Sequence, residues 1–268
     1  MPTIETLTRL PGVRQLLRRR FARRFEGPHG AGACRGVHAS FAGAAAAAPS
    51  AGALGYDHAA AAELYEDLLG EVRPKDYPVL FWLRDAIDGA TRLFDYGGHV
   101  GLAYYAYRTR LALPPALVWT VCDVPSVAAR GEQLAASRGV AGSLRFTGAF
   151  GDADGADVLL AAGSLQYIET PLDTLLSTLA APPTHLLVNQ TPTTTGAEFW
   201  TVQHIGVAYC PYRIANRDAL PTALAARGYE LVDRWHDPSR TFRLPYEPAV
   251  GPIEYTGYYL RRRRSAAG

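Results

Sequence analysis

The stretch Asp95-Tyr96-Gly97-Gly98-His99-Val100-Gly101 decides the fold of this chain. It follows the apolar pair Leu93-Phe94 and leads into Leu102-Ala103-Tyr104-Tyr105, so the pattern predicts a buried strand, a glycine-rich turn and a helix. Glycine lets the backbone approach a ligand closely, and a helix N-terminus favours a negatively charged group. The stretch therefore predicts an anion-binding loop between a strand and a helix.

The order of acid and glycines in this loop separates two classes of ligand. Dinucleotide-binding proteins use Gly-x-Gly-x-x-Gly to seat a pyrophosphate, whereas here Gly97-Gly98-His99-Val100-Gly101 follows an acid, Asp95. We expect Asp95 to meet the ammonium of an amino acid, and the loop amides to lie near its carboxylate or a ribose. S-adenosylmethionine, which joins methionine to a nucleoside, is the expected cofactor, and a nicotinamide-dependent dehydrogenase is the remaining enzyme alternative.

A second acid, Asp123, ends the next predicted strand, where a carboxylate can accept both ribose hydroxyls. The alternative is that Asp123 caps the helix that begins near Pro125. Phe150, after the third strand, either covers the adenine or belongs to the core. The predicted cofactor-binding residues are Asp95, Gly97, Gly98, His99, Gly101, Asp123, Val124, Ala149, Phe150, Ala162 and Gly163.

Strand and helix signals alternate from residue 57 onward, which predicts a parallel sheet with helices on both faces. The predicted strands are 92–96, 116–122, 143–147, 157–162, 184–190, 229–235 and 253–260, and the predicted helices are 58–71, 77–89, 101–111, 125–138, 171–180 and 217–227. No helical crossover separates the last two strands, so they should pair antiparallel. The predicted fold is α/β, a Rossmann-like class I methyltransferase fold with a seven-stranded, mostly parallel sheet, a terminal antiparallel strand and an N-terminal helical extension.

The composition suits one main domain with attachments, since 48% of the 268 residues are apolar. The net charge of +2 conceals two basic ends, with seven arginines between Arg9 and Arg24 and four from Arg261 to Arg264. Residues 13–25 form a basic amphipathic pattern, which predicts a helix that docks on its own domain or lies on an anionic membrane surface. The predicted domains are residues 1–56, a basic helix and Gly/Ala-rich linker, and residues 57–268, the cofactor-binding domain.

Several classes of protein are disfavoured by the sequence. No apolar run is long enough for a membrane-spanning helix, no secretory signal pattern occurs, and three distant cysteines argue against a disulfide framework. We therefore expect a cytoplasmic protein, with peripheral contact to the inner face of a membrane as an open alternative. No zinc-ligand spacing and no nucleic-acid motif accompany the basic ends, so neither a metal nor a nucleic acid is expected. The sequence leaves the oligomeric state undecided, and an oligomer is an open alternative.

The chain resembles the class I methyltransferases found among bacterial surface-polysaccharide genes, over about residues 35 to 260. The segments that carry the resemblance are Arg35-Gly36-Val37, Gly55-Tyr56-Asp57, Phe94-Asp95-Tyr96-Gly97-Gly98, Trp119-Thr120-Val121-Cys122-Asp123-Val124-Pro125, Ala162-Gly163-Ser164-Leu165-Gln166-Tyr167, Val188-Asn189-Gln190-Thr191-Pro192, Thr201-Val202-Gln203 and Pro211-Tyr212-Arg213-Ile214. Asp123 stands where the family usually has glutamate, and Gln190 where arginine is common. The resemblance implies a methyl donor and a sugar or glycan acceptor.

The acceptor should bind at the carboxyl ends of the fourth and fifth strands, beneath an insertion at about residues 191–216. The predicted substrate residues are Asn189, Gln190, Gln203, Tyr212 and Arg213, and the predicted catalytic residues are His204, Gln166 and Tyr167. His204 is the first candidate for the general base and His99 the second, while Gln166 and Tyr167 orient the acceptor. The expected function is O-methylation of a sugar or glycan hydroxyl. Methylation of another small metabolite or lipid-linked precursor and a non-catalytic cofactor-binding module are the alternatives.

Overall fold

A computed structural model describes residues 11–50 and 52–263 of the chain. The strands are β1 (Cys34–His38), β2 (Ala53–Leu54), β3 (Arg92–Tyr96), β4 (Val118–Cys122), β5 (Leu144–Thr147), β6 (Val158–Ala162), β7 (His185–Thr194), β8 (Phe199–His204), β9 (Ala208–Asn216), β10 (Tyr229–Arg243) and β11 (Pro252–Arg262). The helices are α1 (Pro11–Glu26), α2 (Phe41–Ala46), α3 (Ala59–Ala62), α4 (Tyr77–Ala86), α5 (Leu102–Tyr107), α6 (Pro125–Ser137), α7 (Leu172–Leu176) and α8 (Ala219–Ala225).

The chain divides into two compact units. The larger unit comprises Tyr56–Glu198, Arg213–Phe242 and the described part of Pro252–Gly268. The smaller unit comprises the described part of Met1–Gly55, together with Phe199–Tyr212 and Arg243–Gly251.

The sheet of the larger unit has the strand order β10-β11-β7-β6-β3-β4-β5. Strands β3 to β7 pair in parallel, and β11 pairs antiparallel with β7. The predicted mostly parallel sheet with its terminal antiparallel strand is therefore confirmed. At the end of β9, Ala215 and Asn216 also pair in parallel with β7, so the sheet extends beyond the predicted seven strands.

Both faces of the central strands are buried, as a parallel sheet covered by helices requires. Leu93 and Leu160 belong to an apolar cluster with residues of α4 and α5, while their chain neighbours Phe94 and Leu159 belong to a second cluster with residues of α7 and α8. Successive strand residues point to opposite faces, so one apolar strand contributes to both clusters. This explains why β6 consists of five apolar residues.

Several helices are shorter than predicted. The helix predicted at 58–71 consists of α3 and a separate 3₁₀ turn at Glu66–Leu68. His58 caps α3, since its Nδ1 accepts a hydrogen bond of 3.3 Å from the Ala61 amide. Gly70 then has a φ of +86°, a left-handed conformation that cannot continue a helix. The sequence signals for such local breaks are weaker than the apolar periodicity, which predicts one long helix.

Helices α7 and α8 begin without a side-chain cap. Pro171 directly precedes α7, and Asp218 directly precedes α8. The Asn216 side chain accepts a hydrogen bond of 2.9 Å from the Asp218 amide. Asn216 therefore forms an Asx turn just before the helix instead of capping it.

In the smaller unit, the Gly/Ala-rich linker predicted within residues 1–56 instead contains β1, α2 and β2. Strand β1 pairs antiparallel with β8, and β2 pairs in parallel with β9. Ser40 caps α2, whose Ala44 packs with Trp200 and Val202. A low-complexity alanine run thus becomes ordered because its small side chains fit an aromatic surface from a distant part of the chain.

The predicted basic helix is present as α1 in the same unit. Its Phe25 is buried and its ring lies 5.5 Å from that of Tyr209, whereas Leu16 is 66% exposed. Phe21 contacts Tyr246 at 5.9 Å between ring centroids. These contacts show α1 docked on its own unit. Arg9 and Arg264, at the outer ends of the two basic runs, lie outside the described residues.

Candidate functional site

A cleft opens at the carboxyl ends of β3 and β6, beside the middle of β7. Its lining residues from the strand ends and the glycine loop are Asp95, Gly97, Gly98, Ala162, Asn189 and Gln190. The chain before β3 contributes Leu68, Glu71, Arg73, Lys75 and Asp76. The chain leaves β3 toward β4 on one side and β6 lies on the other, so the cleft is at the topological switch point where ligands bind in open α/β sheets.

Asp95 is fully buried at the end of β3. Its Oδ2 accepts a hydrogen bond of 3.1 Å from Trp119 Nε1, while Oδ1 is buried with no hydrogen-bond partner among the described residues. Burial raises the pKa of this carboxyl to about 7, against the lowering effect of the Trp119 bond. The site therefore contains an acceptor atom that a cationic donor would satisfy, since leaving such a buried atom unbonded is costly.

The glycines of the loop are required by close contacts. A Cβ added to Gly98 would lie 2.3 Å from Asp95 Oδ2, and one added to Gly97 would lie 2.3 Å from Ser164 Cβ. Gly97 and Gly101 have φ values of +73° and +90°, which favour glycine. The loop backbone thus lies directly against the Asp95 carboxylate at Gly98 and against Ser164 at Gly97, and a side chain at either glycine would clash with that neighbour.

His99 also has a left-handed backbone, with φ of +55°. Its amide donates a hydrogen bond of 2.9 Å to Asp123 Oδ2, and its Nε2 lies 2.9 Å from the Ala61 carbonyl oxygen. The ring is buried beside Tyr65, and burial lowers the pKa of His99 despite the nearby Asp123 carboxylate. His99 therefore joins the glycine loop to α3, which argues against a role as the proton-accepting base.

Asp123 holds the loop from the neighbouring strand. Besides the His99 amide, its Oδ1 accepts a hydrogen bond of 2.8 Å from the Val124 amide. Burial raises the pKa of Asp123, and these two bonds oppose the rise. The first turn of α6 is capped by a different acid, since Asp57 Oδ1 accepts a hydrogen bond of 3.0 Å from the Ser126 amide. The geometry thus disfavours the alternative in which Asp123 is the cap.

The remaining cofactor candidates lie along the same edge of the sheet. Ala149 is exposed at the end of β5, and Phe150 is half-buried with its ring 4.9 Å from that of Tyr96 and 5.7 Å from that of Phe94. Gly163 follows β6 and donates through its amide to the Asn189 carbonyl at 2.8 Å. The structure therefore brings the predicted cofactor residues to the ends of four consecutive strands, β5, β4, β3 and β6.

The predicted orienting residues Gln166 and Tyr167 lie in a 3₁₀ turn after β6. Gln166 is buried, and its Nε2 donates a hydrogen bond of 2.7 Å to the Gly163 carbonyl while its Oε1 has no partner among the described residues. The Tyr167 ring meets the Tyr56 ring edge-on at 5.0 Å. Tyr56 in turn lies with its hydroxyl 3.4 Å from that of Tyr65.

Asn189 and Gln190 end the β7 segment that pairs with β6. Asn189 donates to the Lys75 carbonyl at 3.0 Å and accepts from Trp235 Nε1 at 3.0 Å. Gln190 has a φ of +56°, donates to Asp237 Oδ2 at 3.2 Å and accepts from an Arg240 Nη1 at 3.3 Å. Arg240 of β10 thus brings a guanidinium to the Gln190 side chain at the cleft.

Four predicted residues are not among those that line the cleft. Gln203, His204 and Tyr212 belong to the smaller unit, where the His204 ring stacks on Tyr209 at 4.6 Å and its backbone bonds to residues of the N-terminal segment. Arg213 is in the larger unit and forms an ion pair of 3.6 Å with Glu198, and it also donates to the Glu169 carbonyl. The roles of these four residues stay predictions.

Sequence reasoning missed the wall of the cleft formed by Glu71, Arg73, Lys75 and Asp76. Asp76 accepts a hydrogen bond of 2.9 Å from the Arg73 amide and is buried beside Tyr107. The one available signal was the composition, because Lys75 is the only lysine in the chain.

Within residues 11–50 and 52–263, no group of three or more His, Cys, Asp or Glu side chains is placed to hold a metal ion. In the same part of the chain, every helix is too short or too polar to cross a membrane.

Comparison with known proteins gives structural neighbours only. No family model and no curated protein matches the sequence. Among solved structures, the N-terminal domain of EvdMO1 with SAH bound has a TM-score of 0.51 at 17% identity, covering 74% of this chain and 84% of that one. The same domain in the presence of SAH and D-fucose has a TM-score of 0.50 at 17% identity, covering 72% and 85%. The [4+2]-cyclase SpnF has a TM-score of 0.53 at 15% identity, covering 87% and 100%.

These likenesses concern the fold. The chain has the Rossmann-like α/β fold of the class I methyltransferases, as predicted. A cyclase has a comparable similarity, so the reaction has to be argued from the site.

Proposed function

We propose that this chain is an S-adenosylmethionine-dependent methyltransferase that acts on a hydroxyl of a sugar or glycan. The Asp95 carboxylate carries the proposal. It is fully buried behind a glycine loop at the switch point of the sheet, and its Oδ1 has no partner among the described residues. An α-ammonium group placed there would both bond this oxygen and balance its charge.

The residues around Asp95 fit the rest of the cofactor. Gly97, Gly98 and Ala162 leave room for the methionine portion, because none has a side chain beyond Cβ. Asp123 uses one lone pair of each carboxylate oxygen for the loop amides, so each oxygen can still accept a ribose hydroxyl. Ala149 and Phe150 border the expected adenine position. When bound, S-adenosylmethionine supplies an electrophilic methyl group on a sulfonium.

The acceptor side of the cleft suits a ligand rich in hydroxyl groups. Asn189 and Gln190 line the cleft, Thr191 follows them in sequence, and Gln166 lies beside Gly163 at the end of β6. Gln166 Oε1 and Thr191 Oγ1 are buried with no hydrogen-bond partner in the described part of the chain. A polyol can satisfy such isolated acceptors and donors, whereas an apolar acceptor cannot. The neighbour crystallised in the presence of SAH and D-fucose supports a sugar as the first substrate class to try.

The first experiment is calorimetric titration of the purified protein with S-adenosylmethionine and S-adenosylhomocysteine. We expect both to bind with micromolar affinity and NAD to bind at least ten times more weakly. Asp95→Ala should abolish binding, whereas Gly142→Ala, which alters a loop glycine with open space around its Cα, should not. Absence of binding by the wild type would refute the proposal.

The second experiment identifies the acceptor with a radioactive methyl donor. Free sugars, nucleotide-linked sugars, lipid-linked saccharides and non-sugar alcohols are compared, and label in a saccharide is the expected result. Label only in a non-sugar metabolite would contradict the sugar or glycan acceptor but would still support a methyltransferase.

A second candidate function is a protein that keeps the fold without transferring methyl groups, which the likeness to a [4+2]-cyclase favours. Tight binding of the cofactor without label in any acceptor of the panel would support that candidate.

A further inference from the structure

Lys75 is the one lysine of the chain, and it lines the cleft beside Asp95 and Gln190. It lies in a 3₁₀ turn, Pro74–Asp76, immediately before α4. The turn is closed by the Asp76 carboxylate, which accepts a hydrogen bond from the Arg73 amide. The Lys75 backbone is therefore held in a defined position at the mouth of the site.

Lys75 is also tied to the acceptor side of the sheet. Its carbonyl accepts a hydrogen bond of 3.0 Å from Asn189 Nδ2, and Asn189 is fixed in turn by Trp235 at 3.0 Å. This contact joins the turn to Asn189 in the middle of β7, where the pairing with β6 ends and the acceptor is expected. Lys75 therefore lies in the wall of the cleft that also contains Asp95 and Gln190.

The Lys75 amine is uncommitted. No hydrogen bond or ion pair of Nζ occurs in the described part of the chain, although nine other basic side chains, all arginines, are engaged in ion pairs there. Glu71 and Asp95 also line the cleft but neither forms an ion pair with it. A lysine held at a site without an anionic partner is available for chemistry.

Burial favours the neutral form of the Lys75 amine. Burial has the largest effect, the cations Arg73 and Arg240 add to it, and the anions Asp76 and Asp237 oppose it, so that the pKa of Lys75 is lowered to about 8. About half of the Lys75 amines are then neutral at pH 8, against roughly 1 in 250 for an ordinary lysine. A neutral amine can accept a proton under mild conditions.

The histidines are less suited to this role. His99 Nε2 is engaged with the Ala61 carbonyl, and its Nδ1 is buried. His204 is packed with Phe25 and Tyr209 in the smaller unit. Neither histidine lines the cleft.

We propose that Lys75 Nζ faces the transferable methyl group and accepts the proton of the acceptor hydroxyl. The proposal rests on the proposed function. As the acceptor oxygen bonds to the methyl carbon, the carbon–sulfur bond breaks with its electron pair on sulfur, and the hydroxyl proton moves to Nζ. The sulfonium charge is lost and an ammonium charge is gained, so the net charge of the site is unchanged.

The decisive test needs no acceptor. The affinities of S-adenosylmethionine and S-adenosylhomocysteine are measured by calorimetry from pH 6.5 to 9, and their ratio is followed. The two ligands share every titrating group and differ in the sulfonium charge, so contributions from Asp95 and from the ligand ammonium cancel. Protonated Lys75 near the methyl group repels only the sulfonium.

In the wild type we expect relative binding of S-adenosylmethionine to strengthen roughly tenfold between pH 6.5 and 9, with a midpoint near pH 8. Lys75→Gln should make the ratio independent of pH, and Lys75→Arg should keep it at the low-pH value throughout because arginine stays charged. A ratio that is independent of pH in the wild type would overturn the proposal. Failure of both ligands to bind would instead refute the proposed function.

Turnover with the identified acceptor shows whether Lys75 acts as a general base or only binds an anionic group of the substrate. Lys75→Gln and Lys75→Arg should each lower kcat at least 100-fold while binding of S-adenosylhomocysteine changes less than threefold. The wild-type kcat should rise with pH to a plateau above about pH 8. Retention of activity by Lys75→Arg would show that Lys75 only binds a negative group and would also overturn the proposal.

Discussion

Asp95 and Asp123 end neighbouring parallel strands, β3 and β4, on the same side of the sheet. Two backbone amides reach the Asp123 carboxylate, one for each oxygen, whereas one indole N–H reaches Asp95 and leaves Oδ1 without a partner. The same residue type at the same kind of position therefore does two different things. Asp123 stabilises the loop in the free protein, and Asp95 costs stability until a ligand arrives.

The difference should appear first in the pH dependence of stability. The folded pKa of Asp95 is about 7 and the unfolded value is about 3.9, so between these values the unfolded chain releases a proton that the folded chain keeps. Raising the pH from about 4 to 7 thus favours unfolding. In Asp95→Asn this contribution is absent. The unfolding free energy of the variant should therefore rise relative to that of the wild type by about 4 kcal/mol across that range.

Urea denaturation of the ligand-free proteins at several pH values measures this difference. Asp85→Asn, which changes an exposed aspartate of α4, is the control and should show no such rise. A constant difference for Asp95→Asn would mean that the carboxylate is already satisfied in the free protein.

Asp123→Ala should have the opposite effect, destabilising the free protein at pH 8. It removes two hydrogen bonds to a charged acceptor and leaves the His99 and Val124 amides without partners, which should lower the unfolding free energy by about 3 kcal/mol. Asp123→Glu, the residue usual in the resembling family, should recover most of the S-adenosylhomocysteine binding. An unchanged urea midpoint for Asp123→Ala would contradict a loop-stabilising role.

The role of Asp95 as the ligand-binding carboxylate should appear in the affinity for S-adenosylhomocysteine. Asp95→Asn keeps the volume and an acceptor for Trp119 but removes the charge, so S-adenosylhomocysteine should bind about 100-fold more weakly, since a hydrogen bond to a charged group is lost. Calorimetry at pH 8 gives the affinity, and the urea midpoint confirms that the variant is folded. Wild-type affinity in Asp95→Asn would exclude Asp95 as the ammonium partner.

The smallest of these effects concerns the contact between the loop and Asp95. Gly98→Ala places a methyl group against the carboxylate, at 2.3 Å before relaxation, and should weaken S-adenosylhomocysteine binding about tenfold. Gly142→Ala has no atom within 4 Å of the added methyl and serves as the matched control. Equal affinities for the two variants would show that the loop can move away from Asp95 at little cost.

Much of the larger unit could be predicted because its signals are local. The buried runs at β3, β4 and β6 and the proline that begins α6 each determine an element within a few residues. The sequence predicts a Gly/Ala-rich linker within residues 1–56, whereas the structure has ordered elements there, because Ala44 packs with Trp200 and Val202, which are far away in sequence. The prediction of one long helix at 58–71 was wrong for a different reason. Apolar periodicity does not reveal a left-handed glycine such as Gly70.

By itself, the sequence determined which residues stand at the strand ends, because hydrophobic period and glycine position are properties of short segments. It placed Asp95 and Asp123 correctly but could not distinguish them. Only the tertiary structure decided that Trp119 and a buried environment surround one carboxylate, while the amides of His99 and Val124 fill the other. It likewise decided that Lys75 stands at the cleft, because that placement depends on the hydrogen bond from Asn189, more than a hundred residues away along the chain.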